Sequence, residues 1–93
     1  MNTNTIALLM EQYGRAAVIP VEWVCRDYFR HLTVEKFLRK VLAGKIDLPV
    51  VRIEGPAGSQ KATKGVPLVD FAVYLDKQMD AARKECEQLR RGA

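Results

Sequence analysis

The chain is poor in the residues that build metal centres and disulfide frameworks. Its 93 residues include two cysteines, Cys25 and Cys86, and one histidine, His31. The cysteines are far apart and form no CxxC pair, so an ordinary four-ligand zinc site could not be completed without carboxylates. We therefore expect structural thiols, and no metal, cofactor or small-molecule ligand.

Long apolar segments are also lacking. No apolar run approaches the ~20 residues that a membrane span needs, and the N-terminus does not have the basic-then-apolar layout of a secretory signal. The apolar content of 48% is nevertheless that of a folded protein, which argues against disorder. The sequence predicts one cytoplasmic domain, residues 1–93, with one modest core and no membrane contact.

Catalytic patterns are missing as well. No Ser/His/Asp or Cys/His arrangement is indicated by position, and the carboxylates are scattered. The glycine-containing stretch 55–61 does not have the spacing of a phosphate-binding loop, and it leads into a β-prone segment rather than a helix. We expect a protein that is not an enzyme.

A basic excess is present, and it is confined to the middle of the chain. The net charge is +4. Residues 26–64 contain nine basic and four acidic side chains, whereas the segments on either side are close to neutral. A localised basic surface is the electrostatic footprint expected for a polyanion partner. Charge alone leaves open a mildly basic domain without such a partner.

The centre of this basic segment, residues 33–44, has the pattern of a short amphipathic helix. Thr33 can cap its start and Gly44 can end it. The apolar stripe has the helical spacing i, i+3, i+4, i+7, i+8 and comprises Val34, Phe37, Leu38, Val41 and Leu42. The opposite face is mainly basic. A helix of this kind suits insertion in the major groove of DNA.

The neighbouring segments predict a winged helix-turn-helix. A helix opened by Pro20 comes before the basic helix, and a gap at 30–32 completes a helix-turn-helix over about 20–44. The β-branched stretch 46–54, the loop 55–61 and a returning strand indicate a hairpin over about 48–68. An additional helix is expected at 4–13, with Thr5 as its cap.

We expect this unit to contact double-stranded DNA through eleven side chains. Arg39 is the best candidate for reading a base, because arginine can donate two hydrogen bonds to one guanine. Glu35 either accepts from cytosine or favours the helix N-terminus, and the second role is preferred. Contacts to the backbone and at the hairpin are expected from Thr33, Lys36, Lys40, Lys45, Arg52, Ser59, Gln60, Lys61 and Lys64. Arg26 and Arg30 either touch the DNA backbone or pair with nearby carboxylates.

The C-terminal segment, about 69–91, predicts one long helix. Apolar and small residues follow a heptad spacing from Leu68 onward. Phe71 and Val73 are expected to pack on the winged core, and the distal part is expected to form a homodimer. The predicted dimer interface comprises Leu75, Met79, Ala82, Cys86 and Leu89. A partly exposed terminal helix is the alternative, because alanines and a cysteine make a weak seam.

Three stretches, VCRDYF, LRKVLAGKIDLPVVRIE and SQKATKGV, resemble the pyocin activator (PrtN-like) family of pseudomonads and their phages. The resemblance covers nearly the whole chain. It implies a DNA-binding transcriptional activator of bacteriocin (pyocin) genes in the DNA-damage response, which acts at repeated promoter boxes alongside RNA polymerase. It assigns no contact residues, so the DNA-binding set above rests on the helix and hairpin faces.

The expected fold is therefore α+β, mainly helical: a winged helix-turn-helix with a long C-terminal helix. The G-x-I-x-L-P turn and the segment DFAVYLD also resemble, more loosely, the excisionase and MerR-type winged modules. Two other functions are also compatible with the sequence. One is an excisionase-like architectural protein that bends DNA, and the other is a protein-interaction module that acts through the C-terminal helix without DNA.

Overall fold

Four helices and three short strands make up the part of the chain that the structure, a computed structural model, describes, namely residues 3–53 and 63–92. The architecture is mixed, with more helix than strand, as expected. The elements in chain order are α1 (Thr3–Tyr13), β1 (Val18–Pro20), α2 (Val21–Tyr28), α3 (Val34–Leu42), β2 (Val51–Ile53), β3 (Thr63–Pro67) and α4 (Leu68–Gly92).

The strands form one antiparallel sheet in the order β1-β3-β2. Strand β2 pairs with β3 with Arg52 opposite Lys64, which confirms the predicted antiparallel return of the chain. Strand β2 is shorter than the β-prone stretch 46–54, because Ile46 and Leu48 turn into the core before the strand begins. The predicted hairpin loop 55–61 lies outside the described residues.

Strand β1 forms the second edge of the sheet and connects α1 to α2. Val18 pairs with Pro67 and Pro20 with Gly65. The amide of Leu68, the first residue of α4, donates to the carbonyl oxygen of Ala17 at 2.9 Å. The start of the long helix is therefore attached to the segment that comes just before α2.

The core lies between the sheet and the helices. Its largest fully buried side chains are Phe37, Phe71, Leu9, Ile19, Val21, Val24 and Val66. Phe71 packs inward as expected, but the expectation for Val73 is wrong, because Val73 lies half-exposed on another face of α4. Leu42 also departs from its predicted stripe and is 81% exposed, at the last residue of α3.

Helix α1 is held against α4 by a polar contact rather than capped by Thr5. The helix begins at Thr3, so Thr5 lies within its first turn and the expectation that it caps the helix is wrong. The Thr5 hydroxyl instead donates to Oδ1 of Asp76 at 2.6 Å, from a buried position. This hydrogen bond joins residues that are 71 positions apart.

Helix α4 is continuous over 25 residues, about 37 Å at 1.5 Å per residue. Leu68, Phe71 and Ala72 are buried in the core, and Leu75 packs against it. From Lys77 onward the residues of the helix are exposed. Within the described ranges, no helix is long and apolar enough to cross a membrane.

Candidate nucleic-acid interface

Helix α3 has the caps that its sequence predicts. The Thr33 hydroxyl accepts a hydrogen bond from the amide of Lys36 at 3.1 Å, which satisfies a free N–H of the first turn. At the other end Gly44 has a φ of 76°, a conformation that glycine adopts without steric cost. The amide of Lys45 donates to the carbonyl oxygen of Lys40 at 2.9 Å and closes the helix end. Both boundaries of the predicted helix are thus set by local hydrogen bonds.

The two faces of α3 differ sharply in their surroundings. Phe37 is fully buried, and its ring centroid lies 5.0 Å from that of Phe29 at a tilted angle. Val34 and Val41 pack against the same core. The outward face is charged and exposed, and it comprises Glu35, Lys36, Arg39 and Lys40. The buried ring fixes which side of the helix is presented to solvent.

Arg39, the expected base-reading residue, forms an ion pair with Glu35 one turn earlier. Their nearest N and O atoms are 3.7 Å apart, with the side chains 71% and 83% exposed. Exposed pairs of this kind contribute about 0.3–0.5 kcal/mol, because solvent screens the charges. The guanidinium of Arg39 can therefore leave Glu35 for a stronger partner at little cost.

A groove lies between α3 and the strands, and two cationic side chains line it. Its volume is about 380 Å³. The apolar lining comes from the end of α3 and the segment before β2: Leu38, Val41, Leu42, Leu48, Pro49 and Val50. Arg52 and Lys64, which are register partners across β2 and β3, complete the lining. Arg39 is not part of this lining and lies nearly opposite the buried Phe37, between Leu42 on one flank of α3 and Lys36 on the other.

A second cleft, of about 520 Å³, lies between α2 and the start of α3 and contains Arg30 and Thr33 in its lining. The two alternatives for Arg26, in α2, and Arg30, in the turn after it, are resolved differently in the structure. Arg26 pairs with Asp27 through two hydrogen bonds of 2.8 and 2.9 Å. Arg30 is exposed and donates from Nε to the carbonyl oxygen of Arg26. Arg30 is thus an exposed cation beside the start of α3. The sequence had left open whether Arg30 touches the DNA backbone or pairs with a carboxylate.

Asp27 lies at the centre of a polar network that joins α1 to α2. The Tyr13 hydroxyl donates to its Oδ2 at 2.6 Å, and Gln12 donates to the same atom at 3.3 Å. Hydrogen bonds from Arg26 and then Tyr13 lower the pKa of Asp27 from 3.8 to about 2. Burial, followed by the bond to Asp27, raises the pKa of Tyr13 above its usual range. Both shifts favour the charged carboxylate next to a protonated phenol.

Because of this network, the stability of the protein at acid pH depends on the charge of Asp27. Because the folded-state pKa is below the unfolded one, the stabilisation is complete above about pH 4 and is lost as the pH falls towards 2. Replacing Asp27 with Asn is expected to lower the free energy of unfolding at pH 6 by about 1–2 kcal/mol, and this loss should fall to about a third of that value at pH 2.5, which is close to the folded-state pKa. Urea unfolding at both pH values measures this. Asp80→Asn, at an exposed ion pair with Arg83, is the control and should change neither value appreciably.

The other predicted DNA-contacting residues are placed as follows. Lys45 is exposed directly after α3, and Arg52 is exposed on β2. Lys64 is partly buried on β3. Ser59, Gln60 and Lys61 lie outside the described residues. Among the described residues, no group of three or more His, Cys, Asp or Glu side chains could hold a metal ion.

The residues predicted to form a dimer interface lie along α4. Leu75 already packs against the core of its own chain. Met79, Ala82, Cys86 and Leu89 are exposed beyond it, Leu89 to 71%. Cys25 is buried, and burial raises the pKa of its thiol, so Cys86 is the more reactive of the two cysteines.

Comparison with known proteins identifies a family. The family model described as pyocin activator protein PrtN matches residues 5–82, from α1 through the first half of α4. No curated protein and no solved structure matches the chain significantly.

Proposed function

Because the chain belongs to the pyocin activator family, a family of transcriptional activators rather than of enzymes, we propose that it binds double-stranded DNA sequence-specifically. In this proposal α2, α3 and the paired strands β2 and β3 act as a winged helix-turn-helix in the cytoplasm. The protein activates pyocin genes from repeated promoter boxes and works with RNA polymerase. The structural support comes from α3, whose charged face is exposed opposite the buried Phe37.

The charges around α3 support this assignment. Arg39 points away from the core on the exposed face of α3, and its ion pair with Glu35 is weak enough to exchange. Arg52 and Lys64 line the groove beside the same helix. We assign Arg39 to a base edge. Phosphate contacts are assigned to both flanks of α3 and to the strands: Thr33, Lys36, Lys40, Lys45, Arg52 and Lys64. Arg30 is added on the basis of its place beside Thr33.

The remaining predicted residues keep the roles that the sequence indicates. Glu35 is assigned to the positive N-terminal end of α3, where a carboxylate is favourable. Ser59, Gln60 and Lys61 are proposed for the tip of the hairpin on sequence grounds. A homodimer through the distal half of α4 is also part of the proposal, because Met79 and Leu89 are exposed apolar residues at heptad spacing.

Replacing Arg39 with Ala is expected to weaken binding to the cognate promoter by about 1–3 kcal/mol and to relax discrimination against a scrambled fragment. The reason is the loss of two hydrogen bonds to one base. Fluorescence anisotropy with both fragments measures the effect. Arg91→Ala is a matched control, since Arg91 pairs with Glu87 at 3.6 Å in the same i, i+4 geometry far along α4. Unchanged cognate affinity in Arg39→Ala would show that α3 is not the reading helix.

Replacing Lys64 with Ala is expected to weaken binding to cognate and scrambled DNA alike. A phosphate contact carries no sequence information, so the ratio of the two affinities should stay constant. The slope of log affinity against log salt concentration should fall in magnitude by about 1. Titrations at four salt concentrations measure that slope. A change in the affinity ratio with an unchanged slope would assign Lys64 to base reading instead.

The experiment that tests the function as a whole compares the native promoter fragment with a scrambled fragment of equal length at two salt concentrations. Tighter binding to the native fragment that persists at the higher salt supports a sequence-specific regulator. Equal binding to both fragments, lost together as salt rises, contradicts it and favours an interaction module with a general polyanion surface. Bending of the bound fragment without transcription from it favours the architectural alternative.

A further inference from the structure

One face of α4 is apolar along its length. Only the first part of this face packs against the rest of the domain. Leu68 and Ala72 are buried in the core, and Leu75 packs against it. The same face continues at heptad spacing through exposed Met79, Ala82, Cys86 and Leu89. Since α4 is one unbroken helix, this face stays on one side of it and drifts by about 20° per heptad. The exposed continuation is called the distal seam below.

We propose that the distal seam binds the distal seam of a second copy of the chain in the antiparallel orientation. The proposal rests on the proposed homodimer and specifies its geometry. In this pairing Met79 lies opposite the partner's Leu89, and Ala82 lies opposite the partner's Cys86. These contacts are the a–d layers of a short antiparallel coiled coil, in which the two larger side chains meet each other and the two smaller ones meet each other.

The position of the domain excludes the parallel orientation. The core lies on the seam side of α4 up to Leu75, directly before Met79. Paired helices lie 8–10 Å apart, whereas the molecule is at least 18 Å thick across its smallest dimension. A parallel partner would bring a second domain into the same space within one or two turns of the seam. An antiparallel partner places its domain at the opposite end of the pair.

The length of the helix fits this arrangement. The exposed segment 77–92 is about 24 Å long. With Met79 opposite the partner's Leu89, the end of the partner helix, Gly92, reaches the level of Asp76. That is the level at which α1 is attached to α4 through Thr5. The partner helix therefore occupies the exposed segment and stops where the domain begins.

Flanking charges are partly complementary in this register. Asp76 lies across from the partner's Arg90 at both ends of the pair. Arg83 and Glu85 each lie across from their own copies, which is unfavourable, but Arg83 already has Asp80 at 3.0 Å within its helix. A parallel pair would instead place Glu85 beside the partner's Arg90. Such exposed pairs change binding by less than about tenfold, so the steric conflict between domains decides the orientation.

Disulfide trapping distinguishes the orientations in the full-length protein. In the antiparallel pair, the two native Cys86 residues are offset by about 6 Å along the axis, beyond the reach of a disulfide. Ala82→Cys places a second thiol opposite the partner's Cys86. On mild oxidation, this variant is expected to give a covalent dimer whose peptide map links position 82 of one copy to Cys86 of the other. The unaltered protein is expected to remain uncrosslinked under the same conditions.

Two controls accompany the trapping. Lys84→Cys in a Cys86→Ser background places the thiol on the outer face of α4 and should not crosslink. Leu89→Arg should abolish the dimer that sedimentation equilibrium detects, whereas Lys84→Glu should retain it. Cys25 is buried and is not expected to react.

Each of the remaining outcomes overturns a defined part of the proposal. Rapid crosslinking of the unaltered protein through Cys86 overturns the antiparallel orientation in favour of the parallel one. A dimer by sedimentation without the 82–86 link overturns the register. A monomer at all concentrations, free and on DNA, overturns the interface. If that monomer still prefers its promoter by anisotropy, the DNA-binding function stands while the geometry proposed here fails.

Discussion

Replacing Phe37 with Ala should lower the free energy of unfolding by about 3–5 kcal/mol. Phe37 is fully buried, and its ring packs against Phe29. Deleting it removes the main apolar anchor of α3 and leaves a cavity that the surrounding side chains can fill only in part. A domain of this size has about 5–15 kcal/mol of stability in total, so the variant should be close to unfolding at 37 °C. Urea unfolding monitored by circular dichroism measures the loss.

Leu42→Ala is the matched control for that variant. It also shortens an apolar side chain on α3, but Leu42 is 81% exposed, so a change within about 0.5 kcal/mol is expected. At a temperature where both variants are folded, their DNA affinities should resemble that of the unaltered protein. An unchanged urea midpoint in Phe37→Ala would mean that α3 is not attached to the core through this face.

Replacing Gly65 with Ala should cost about 2–3 kcal/mol of stability. Gly65 lies in the central strand β3 opposite Pro20 of β1. A methyl group there would overlap Cγ1 of Val18 and would lie 2.8 Å from the carbonyl oxygen of Ile19. A side-chain atom can rotate away, but a paired backbone oxygen cannot, so β1 and β3 must separate. Thermal unfolding gives the size of the effect.

Alanine substitutions at two other glycines serve as controls, because they add the same methyl group without steric overlap. Gly44→Ala meets no atom within 4 Å, but its φ of 76° is unfavourable for alanine, so a loss of about 1 kcal/mol is expected. Gly92→Ala, at the end of α4, also meets no atom within 4 Å and should not lower stability. Equal losses at Gly65 and Gly44 would contradict the tight approach of β1 to β3.

Helix α3 was predictable because everything that defines it is local. The apolar spacing, the Thr33 cap and the Gly44 stop all lie within twelve residues. Local sequence signals did not predict the contacts between residues that are far apart in the chain. Thr5 has the chemistry of a cap, but it is used 71 positions away by Asp76. Nothing near either residue in sequence indicates that pairing.

The surroundings of α3 were harder to predict for the same reason. Arg52 and Lys64 lie opposite each other on β2 and β3. This pairing depends on a strand register that the whole fold sets. The tight approach at Gly65 depends on β1, a strand of three residues. Asp27 could have paired with several cations, and its link to Tyr13 follows from how α1 packs on α2.

The heptad pattern of α4 shows a further limit of periodicity. Its spacing is regular, yet Leu75 packs within its own domain and Leu89 is exposed. Periodicity identifies an apolar face but does not locate the residue at which the domain ends. That residue follows from the position of α1 and the sheet, which are formed by distant parts of the chain.

The small sheet also has a consequence for self-association and aggregation. Its two edge strands, β1 and β2, are three residues long each. Pro20 ends β1 and has no amide hydrogen to offer a new strand, and Arg52 places an exposed charge on β2. Short, charged or proline-containing edges discourage the addition of another chain as a strand. Strand addition and amyloid-like stacking are therefore disfavoured at these edges, which is consistent with the proposed pairing through the long helix rather than through the sheet.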